Sequence, residues 1–248
     1  MGCCTRGKRM ERSYAYVRGN AERILSELED TARAAGVPVP TLVAVTKSAT
    51  DAEVLALCET GLVGQVAENR VDRFLARREL LTESGYRPAF HLIGSLQTNK
   101  VKYVVGKTDL IQSLDSLHLA EALERRALAL GIACVDCLVE VNSGREAAKG
   151  GVMPEETEAF VTRLAAYPHL RVRGLMTMGP AGAEASATHA CFAAVRRLYD
   201  DLAGQGALGD APVLSMGMSA SYRIAAQEGA NMVRVGRAFW EQEQEDTM

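Results

Sequence analysis

The stretch Thr41-Leu-Val-Ala-Val-Thr-Lys47 is the part of this chain that decides its fold. Four apolar residues and a β-branched threonine predict a strand that is buried on both faces, as in a parallel sheet. Such a strand should not end on a lysine, because burying an ammonium group without a partner is costly. For Lys47 alone the simpler interpretation is a side chain that extends its charged head into water.

Further strand-like runs follow along the chain and alternate with helical patterns. The predicted strands are 42–46, 62–67, 89–94, 110–114, 135–141, 171–176, 213–216 and 232–235. The predicted helices are 12–34, 52–59, 71–81, 98–105, 116–130, 154–166, 188–203 and 222–228. This alternation predicts an α/β fold, a single (β/α)8 TIM barrel with an extra N-terminal helix. A doubly wound open sheet is the alternative, but the G-x-G-x-x-G fingerprint is missing after the first strand.

Length and composition favour one domain over residues 1–248, and residues 1–11 are expected to be disordered. The apolar content of 48% can build a sizeable core, and the net charge of −3 gives no general basic field. Nucleic acid is therefore not an expected partner. No apolar stretch reaches the length that spans a bilayer, and no export signal is recognised, so no membrane association is expected. The cysteines are expected to be thiols in a reducing cytoplasm, and the histidine spacing indicates no metal site.

Polar residues follow all eight predicted strands. They are Lys47, Glu68, Asn69, His91 to Gln97, Ser113, Asp115, Asn142, Thr177, Ser215 to Ser219, and Gly236. Each alone could cap a helix, but in a barrel they would meet at one mouth, where active sites form. Desolvation there would favour the neutral amine of Lys47, which is the form that attacks a carbonyl to make a Schiff base.

The last two loops predict a phosphate site. Ser215-Met-Gly-Met-Ser219 supplies small residues and hydroxyls before a helix, and Val233-Arg-Val-Gly236 supplies a cation and a glycine. Barrels often bind phosphate with the loops after strands seven and eight, although an ordinary turn with a capping serine is the alternative. A phosphate opposite the amine of Lys47 would match pyridoxal 5′-phosphate.

These residues lie in longer motifs that resemble those of the pyridoxal phosphate homeostasis protein family, whose members are similar to the alanine racemase barrel. The motifs are Ala44-Val-Thr-Lys47, Glu68-Asn69, His91-Leu-Ile-Gly-Ser-Leu-Gln-Thr-Asn-Lys100, Ser113-Leu-Asp-Ser116, Asn142 with Glu146 and Lys149, Gly174-Leu-Met-Thr177, Leu214-Ser-Met-Gly-Met-Ser219, and Met232-Val-Arg-Val-Gly236. They occur in the family's order over most of the chain.

The resemblance implies a protein that binds pyridoxal 5′-phosphate for intracellular vitamin B6 homeostasis without evident catalysis. The implied cofactor residues are Lys47 as the Schiff-base lysine, Asn69 beside the ring, His91 and Met216 in the pocket lining, and Ser219, Arg234 and Gly236 at the phosphate. The implied partners are apo enzymes that depend on this cofactor, and the implied protein is a cytoplasmic monomer.

A weakly active racemase-like enzyme that uses the same cofactor is the alternative. It would need a second acid–base group opposite the lysine, and Tyr222 is the nearest candidate, although a first-turn helix residue more often packs on its neighbours. The chain also departs from the family pattern at Ala49, Ala67, Ser221 and Arg237. Arg237 replaces a hydroxyl residue and can pair with phosphate or crowd it, and we expect binding to be retained.

Overall fold

The computed structural model describes residues 14–146, 149–180 and 182–242, and within them eight parallel strands close into a barrel. The strands are β1 Thr41–Val45, β2 Gln65–Glu68, β3 Ala89–Leu92, β4 Leu110–Leu114, β5 Val135–Val141, β6 Leu170–Thr177, β7 Val213–Ser215 and β8 Met232–Val235. The helices are α1 Ala15–Ala35, α2 Asp51–Thr60, α3 Val71–Glu83, α4 Val101–Val104, α5 Leu117–Leu130, α6 Thr157–Leu164, α7 Ala185–Gly204, α8 Tyr222–Gln227 and α9 Arg237–Trp240. The predicted barrel with its N-terminal helix is confirmed. The disorder expected for residues 1–11 lies outside the described residues.

Closure of the barrel places the end of β1 between the ends of β2 and β8. In this register Ala44 pairs with Val66 of β2 and with Val235 of β8. Because every strand is parallel to its neighbours, all the carboxyl ends open at one mouth. Residues that follow β1 and β8 are therefore neighbours there, although they are far apart in the sequence.

The core has two layers that follow the alternation of side chains along each strand. Inward-facing residues fill the barrel. The buried apolar residues among them are Val43, Val45, Ala67, Leu110, Leu138, Met176 and Met232. Outward-facing residues such as Leu42 and Ala44 pack against the helices in a larger cluster. Because β1 is buried on both faces, its sequence is a continuous apolar run from Leu42 to Val45.

Helix α1 packs beside the last β/α unit. Val17, Ile24 and Leu28 are fully buried on one stripe, and the helix ends at Gly36, whose φ of 67° is in the left-handed region. The side-chain amide of Asn20 donates to the backbone oxygens of Phe239, at 3.1 Å, and of Glu241, at 2.8 Å. The N-terminal helix is therefore tied to the segment that follows the eighth strand.

Some predicted helix bounds differ from the structure. The predicted helices 98–105 and 154–166 each begin with a 3₁₀ turn and have a short α-helical part, α4 and α6. Helix α2 is capped by Thr50, which forms a capping box with Glu53, and Asp51 lies in the first turn. None of the helices in the described ranges is long and apolar enough to cross a membrane.

Candidate functional site

Lys47 lies at the rim of the barrel mouth, two residues beyond the end of β1. Thr46 is fully buried, whereas Lys47 is exposed and belongs to a turn. The desolvation expected for its amine is not found, because the buried part of the chain ends one residue earlier. The structure thus places the amine at the mouth, where a ligand from solvent can reach it.

A cradle of polar groups lies at the end of β8, next to the Lys47 turn. The hydroxyl oxygen of Ser219 accepts from the backbone N–H groups of Gly236, at 3.2 Å, and Ala238, at 3.4 Å. A Cβ atom on Gly236 would lie 3.5 Å from Cβ of Val45, which shows how close this loop is to β1. The indole N–H of Trp240 donates to the backbone oxygen of Val45 at 3.1 Å and fastens α9 to the same strand.

The loop after β7 has a fixed conformation that presents Ser219. Gly217 has a φ of 92°, and a Cβ atom there would lie 2.5 Å from Cβ of Ala225, so the position requires glycine. The N–H of Met218 donates to the hydroxyl of Ser221 at 3.2 Å. Ser221, one of the departures from the family pattern, therefore has a structural role in this loop.

Four buried polar side chains, which we name the polar row, cross the inside of the barrel: Arg234, Ser215, Gln112 and His91. Arg234 Nη1 donates to Ser215 Oγ at 2.6 Å, and Ser215 Oγ donates to Gln112 Oε1 at 2.7 Å. Gln112 Nε2 lies 2.9 Å from His91 Nδ1. A guanidinium can only donate, so Ser215 accepts from Arg234 and donates its own proton to the Gln112 oxygen. The Gln112 nitrogen can likewise only donate, so Nδ1 of His91 must accept. The row therefore holds His91 with its proton on Nε2.

Charge inside the barrel depends on three buried titratable groups. Burial lowers the pKa of Arg234 to about 10, so the guanidinium stays charged, and its Nη2 donates to the backbone oxygen of Thr177 at 2.9 Å. Burial first and then Asp115 raise the pKa of Glu140 on β5, Arg234 opposes the rise, and the resulting pKa is about 7. Burial also lowers the pKa of His91 to about 4. The interior thus contains one permanent cation, a neutral histidine and a carboxyl that titrates near neutral pH.

The structure brings some of the predicted site residues together and separates others. Lys47, Ser219 and Gly236 share the rim where β1 meets β8, and His91 and Arg234 are joined through the polar row. Asn69 is exposed after β2. Its backbone oxygen would lie 2.1 Å from a Cβ atom on Gly94 of the next loop.

Two predicted residues have side chains that point away from the rim. The side chain of Met216 is fully buried in the cluster between barrel and helices. The guanidinium of Arg234 is buried among Ser215 and Thr177 and is not among the groups bonded to Ser219.

Gln112 and Glu140 are buried polar residues inside the barrel that were not predicted from the sequence. Both lie on strands whose bounds were predicted correctly, β4 and β5. Leu110 and Leu138 face the barrel interior, so Gln112 and Glu140, two residues further along, face it as well. The alternation of inward positions was a signal that could have found them.

Comparisons with known proteins agree with this architecture. The family model described as "Alanine racemase, N-terminal domain" matches residues 20–243. A pyridoxal phosphate homeostasis protein of Aquifex aeolicus is 41% identical over 169 residues, which are 68% of this chain and 72% of the relative. One of Pseudomonas aeruginosa is 33% identical over 223 residues, 89% of this chain and 93% of the relative. The structure of PipY of Synechococcus elongatus with PLP bound has a TM-score of 0.75 at 31% identity and covers 90% of this chain and 100% of that one.

Proposed function

This chain belongs to the pyridoxal phosphate homeostasis protein family, and from that premise we propose that it binds pyridoxal 5′-phosphate for intracellular vitamin B6 homeostasis. The cofactor supplies an aldehyde that condenses with a primary amine, and an electron-withdrawing ring. The observation that carries the proposal is that the Lys47 turn follows β1 and the Ser219 cradle meets the end of β8, and these two strands are paired.

The cradle fits a phosphate group by the chemistry of its donors. A hydroxyl, Ser219, and a backbone N–H, that of Gly236, already meet there at 3.2 Å. Arg237 follows directly and is exposed, so its guanidinium can turn toward an anion. Arg234 contributes its buried positive charge from inside the barrel rather than a bond from the loop.

The amine of Lys47 fits the aldehyde end of the same ligand. In the proposed reaction its nitrogen attacks the aldehyde carbon, a carbon–nitrogen bond forms and water leaves, which gives a Schiff base. Asn69, on the neighbouring strand end, would lie beside the ring. His91 and the backbone of Met216 would line the floor of the pocket.

A carrier role is supported by the position of Tyr222, the expected second acid–base group of a racemase-type mechanism. Its hydroxyl donates to Glu27 of α1, and its side chain is buried in the cluster between barrel and helices. Burial, together with Glu27, raises the pKa of Tyr222 to about 12, which is unsuited to proton transfer near neutral pH. We therefore propose that the protein holds the aldehyde without turning a substrate over.

One observation favours the alternative of weak racemase-like catalysis. Glu140 is buried inside the barrel and has a pKa of about 7, which is suited to moving a proton at neutral pH. Incubation of the loaded protein with L-alanine or L-serine, followed by chiral chromatography, separates the two proposals. Turnover that is lost in both Lys47→Ala and Glu140→Gln would establish the enzyme, and no turnover supports the carrier.

The attachment site is tested by borohydride reduction of the loaded protein followed by peptide mapping. We expect a visible absorbance band in the wild type, a reduced label on Lys47, and neither in Lys47→Ala. Lys102→Ala is the matched control, because Lys102 is an exposed lysine on α4 beside the Tyr103 ring, 5.0 Å from its centroid. A label on Lys149 or Lys100 in place of Lys47 would refute the assignment.

Delivery to apo enzymes is a further part of the proposal. Cofactor-loaded protein mixed with an apo enzyme that requires pyridoxal 5′-phosphate should restore the activity of that enzyme. The rate should exceed the rate at which the loaded protein alone releases the cofactor into solution.

Cys58, Cys134, Cys137 and Cys191 are all free thiols in the structure, which supports a reducing cytoplasm as the site of action. We also propose a monomer, and light scattering on a gel-filtration column would detect a dimer.

A further inference from the structure

Beneath the Lys47 turn, on the outer side of the barrel, lies a buried pair of opposite charges, Glu68 and Arg77. Their side chains are 1% and 4% exposed, and Arg77 Nε is 3.7 Å from Glu68 Oε1. Among the described residues neither Glu68 Oε2 nor Arg77 Nε has a hydrogen-bond partner. Desolvation offsets the attraction in such pairs, and unsatisfied polar atoms cost further stability. Stability alone therefore does not account for this pair.

The other polar atoms of the pair all reach residues 46–51, the segment that carries Lys47. Thr46 Oγ1 donates to Glu68 Oε1 at 2.5 Å. Arg77 Nη2 donates to the backbone oxygen of Ala49 at 3.1 Å, and Nη1 donates to Asp51 Oδ1 at 2.6 Å. The turn is thus held on one side by Glu68 and on the other by Arg77.

Lys47 depends on this support because its side chain is not held by anything else. Within the part of the chain that the structure describes, its ammonium group makes no hydrogen bond or ion pair, and the side chain is exposed. Only the backbone then determines where the flexible side chain starts. The hydrogen bond from the N–H of Ala49 to the oxygen of Thr46, at 3.1 Å, closes the turn between the two anchored residues.

We propose that Glu68 and Arg77 are positioning residues, which fix the backbone of residues 46–51 so that the Lys47 amine meets the aldehyde held at the neighbouring cradle. This inference rests on the proposed function. Without the guanidinium, Ala49 and Asp51 lose their donor and Glu68 is left as a lone buried acid, whose pKa burial already raises. A displacement of about 1 Å at a reacting group can slow a reaction roughly 100-fold.

The test compares Arg77→Met and Arg77→Lys with a matched control, Arg173→Met. Arg173 makes the same two kinds of bond, to Asp136 Oδ2 at 2.9 Å and to the backbone oxygen of Ala211 at 3.2 Å, but on β6 away from the mouth. The first readout is hydrogen exchange of the peptide over residues 46–51 without cofactor. The second is the rate constant for appearance of the visible band after addition of pyridoxal 5′-phosphate.

We expect faster exchange in residues 46–51 of Arg77→Met, and band formation slowed roughly 10- to 100-fold. Arg77→Lys keeps a cation beside Glu68 but lacks the fork that reaches both Ala49 and Asp51, so both values should lie between those of Arg77→Met and the wild type. Arg173→Met should change neither readout, although it is expected to lower the free energy of unfolding.

Three results separate the possible failures. Wild-type exchange in the Arg77 variants that fold would overturn the inference, whatever the cofactor does. Equal slowing of band formation in Arg77→Met and Arg173→Met would also overturn it, because a general loss of stability would then be the cause. A wild type that forms no band would refute the proposed function, and the exchange measurement would still decide the role of Arg77.

Discussion

Replacement of Glu140 with glutamine tests the charge balance inside the barrel. Burial and then Asp115 raise the pKa of Glu140 from 4.5 to about 7, and its side chain is buried. The folded protein therefore keeps this proton at pH values where the unfolded chain has released it. Ionising Glu140 in the folded protein therefore lowers the free energy of unfolding. This loss is absent below about pH 4.5, grows as the pH rises and is complete above about pH 7. At about 1.4 kcal/mol per pH unit, it approaches about 3 kcal/mol.

Urea unfolding of the wild type and Glu140→Gln between about pH 5 and about pH 8 measures this loss. The variant lacks the titrating proton, so its free energy of unfolding should exceed that of the wild type by an amount that grows to about 3 kcal/mol at the alkaline end. Glu121→Gln on α5 is the control, because Glu121 forms an exposed ion pair with Arg125 and should give a small, nearly constant difference. A Glu140→Gln difference that stays constant with pH, or that favours the wild type near pH 8, would refute the reasoning.

Three further predictions concern single positions of the mouth and the barrel. Burial lowers the pKa of His91 from 6.5 to about 4, so its ring signals in NMR should titrate near pH 4. The free energy of unfolding should therefore fall as the pH falls from about 6.5 to about 4. Gly94→Ala should lower the free energy of unfolding, measured in urea, by about 1–3 kcal/mol, because its Cβ atom would lie 2.1 Å from a backbone oxygen. Gly64→Ala is the control and should lower it far less, because a Cβ atom there would have nothing within 4 Å. Ser219→Ala removes the hydroxyl that orders the N–H groups of Gly236 and Ala238 and that can itself donate to a phosphate oxygen. It should weaken pyridoxal 5′-phosphate binding roughly tenfold in a fluorescence titration, and unchanged affinity would exclude the cradle as the phosphate site.

The strands were predictable from the sequence where the buried run had clear ends. The bounds of β4, β5 and β8 agree with the prediction residue for residue. The predicted strand 62–67 lies three residues too early at its start, because Leu62 and Val63 are apolar but belong to the loop, where the N–H of Leu62 bonds to the Thr60 hydroxyl. Its true end includes Glu68, which a pattern of apolar residues excludes. Only the contacts with Thr46 and Arg77, which come from other units, make that charge acceptable inside a strand.

The sequence could predict those parts of the site whose position follows from closure of the barrel. Once eight strands are assumed, the ends of the first and the last must be neighbours, and Lys47 must lie near Gly236. The direction of Arg234 and the burial of Met216 depend on which face of a strand each residue occupies, and motif matching carries no such information. Helix α9 was missed because four residues are too few to show a helical period.

The exposed lysine and the buried polar row help to distinguish a cofactor carrier from a racemase-type enzyme. A racemase-type enzyme must exclude water from the reacting carbon and place a second acid–base group opposite the lysine. In this structure Lys47 lies at the rim, and the hydroxyl of Tyr222 is engaged by Glu27 on α1. An aldehyde bound at the rim would be open to water, which reverses the condensation, and to another amine, which would take the aldehyde and release the lysine amine. Burial is instead concentrated on the row that ends at Arg234, whose guanidinium stays charged and adds positive charge inside the barrel. This division of burial supports the proposed reversible holding of the aldehyde rather than catalysis in a site closed to water.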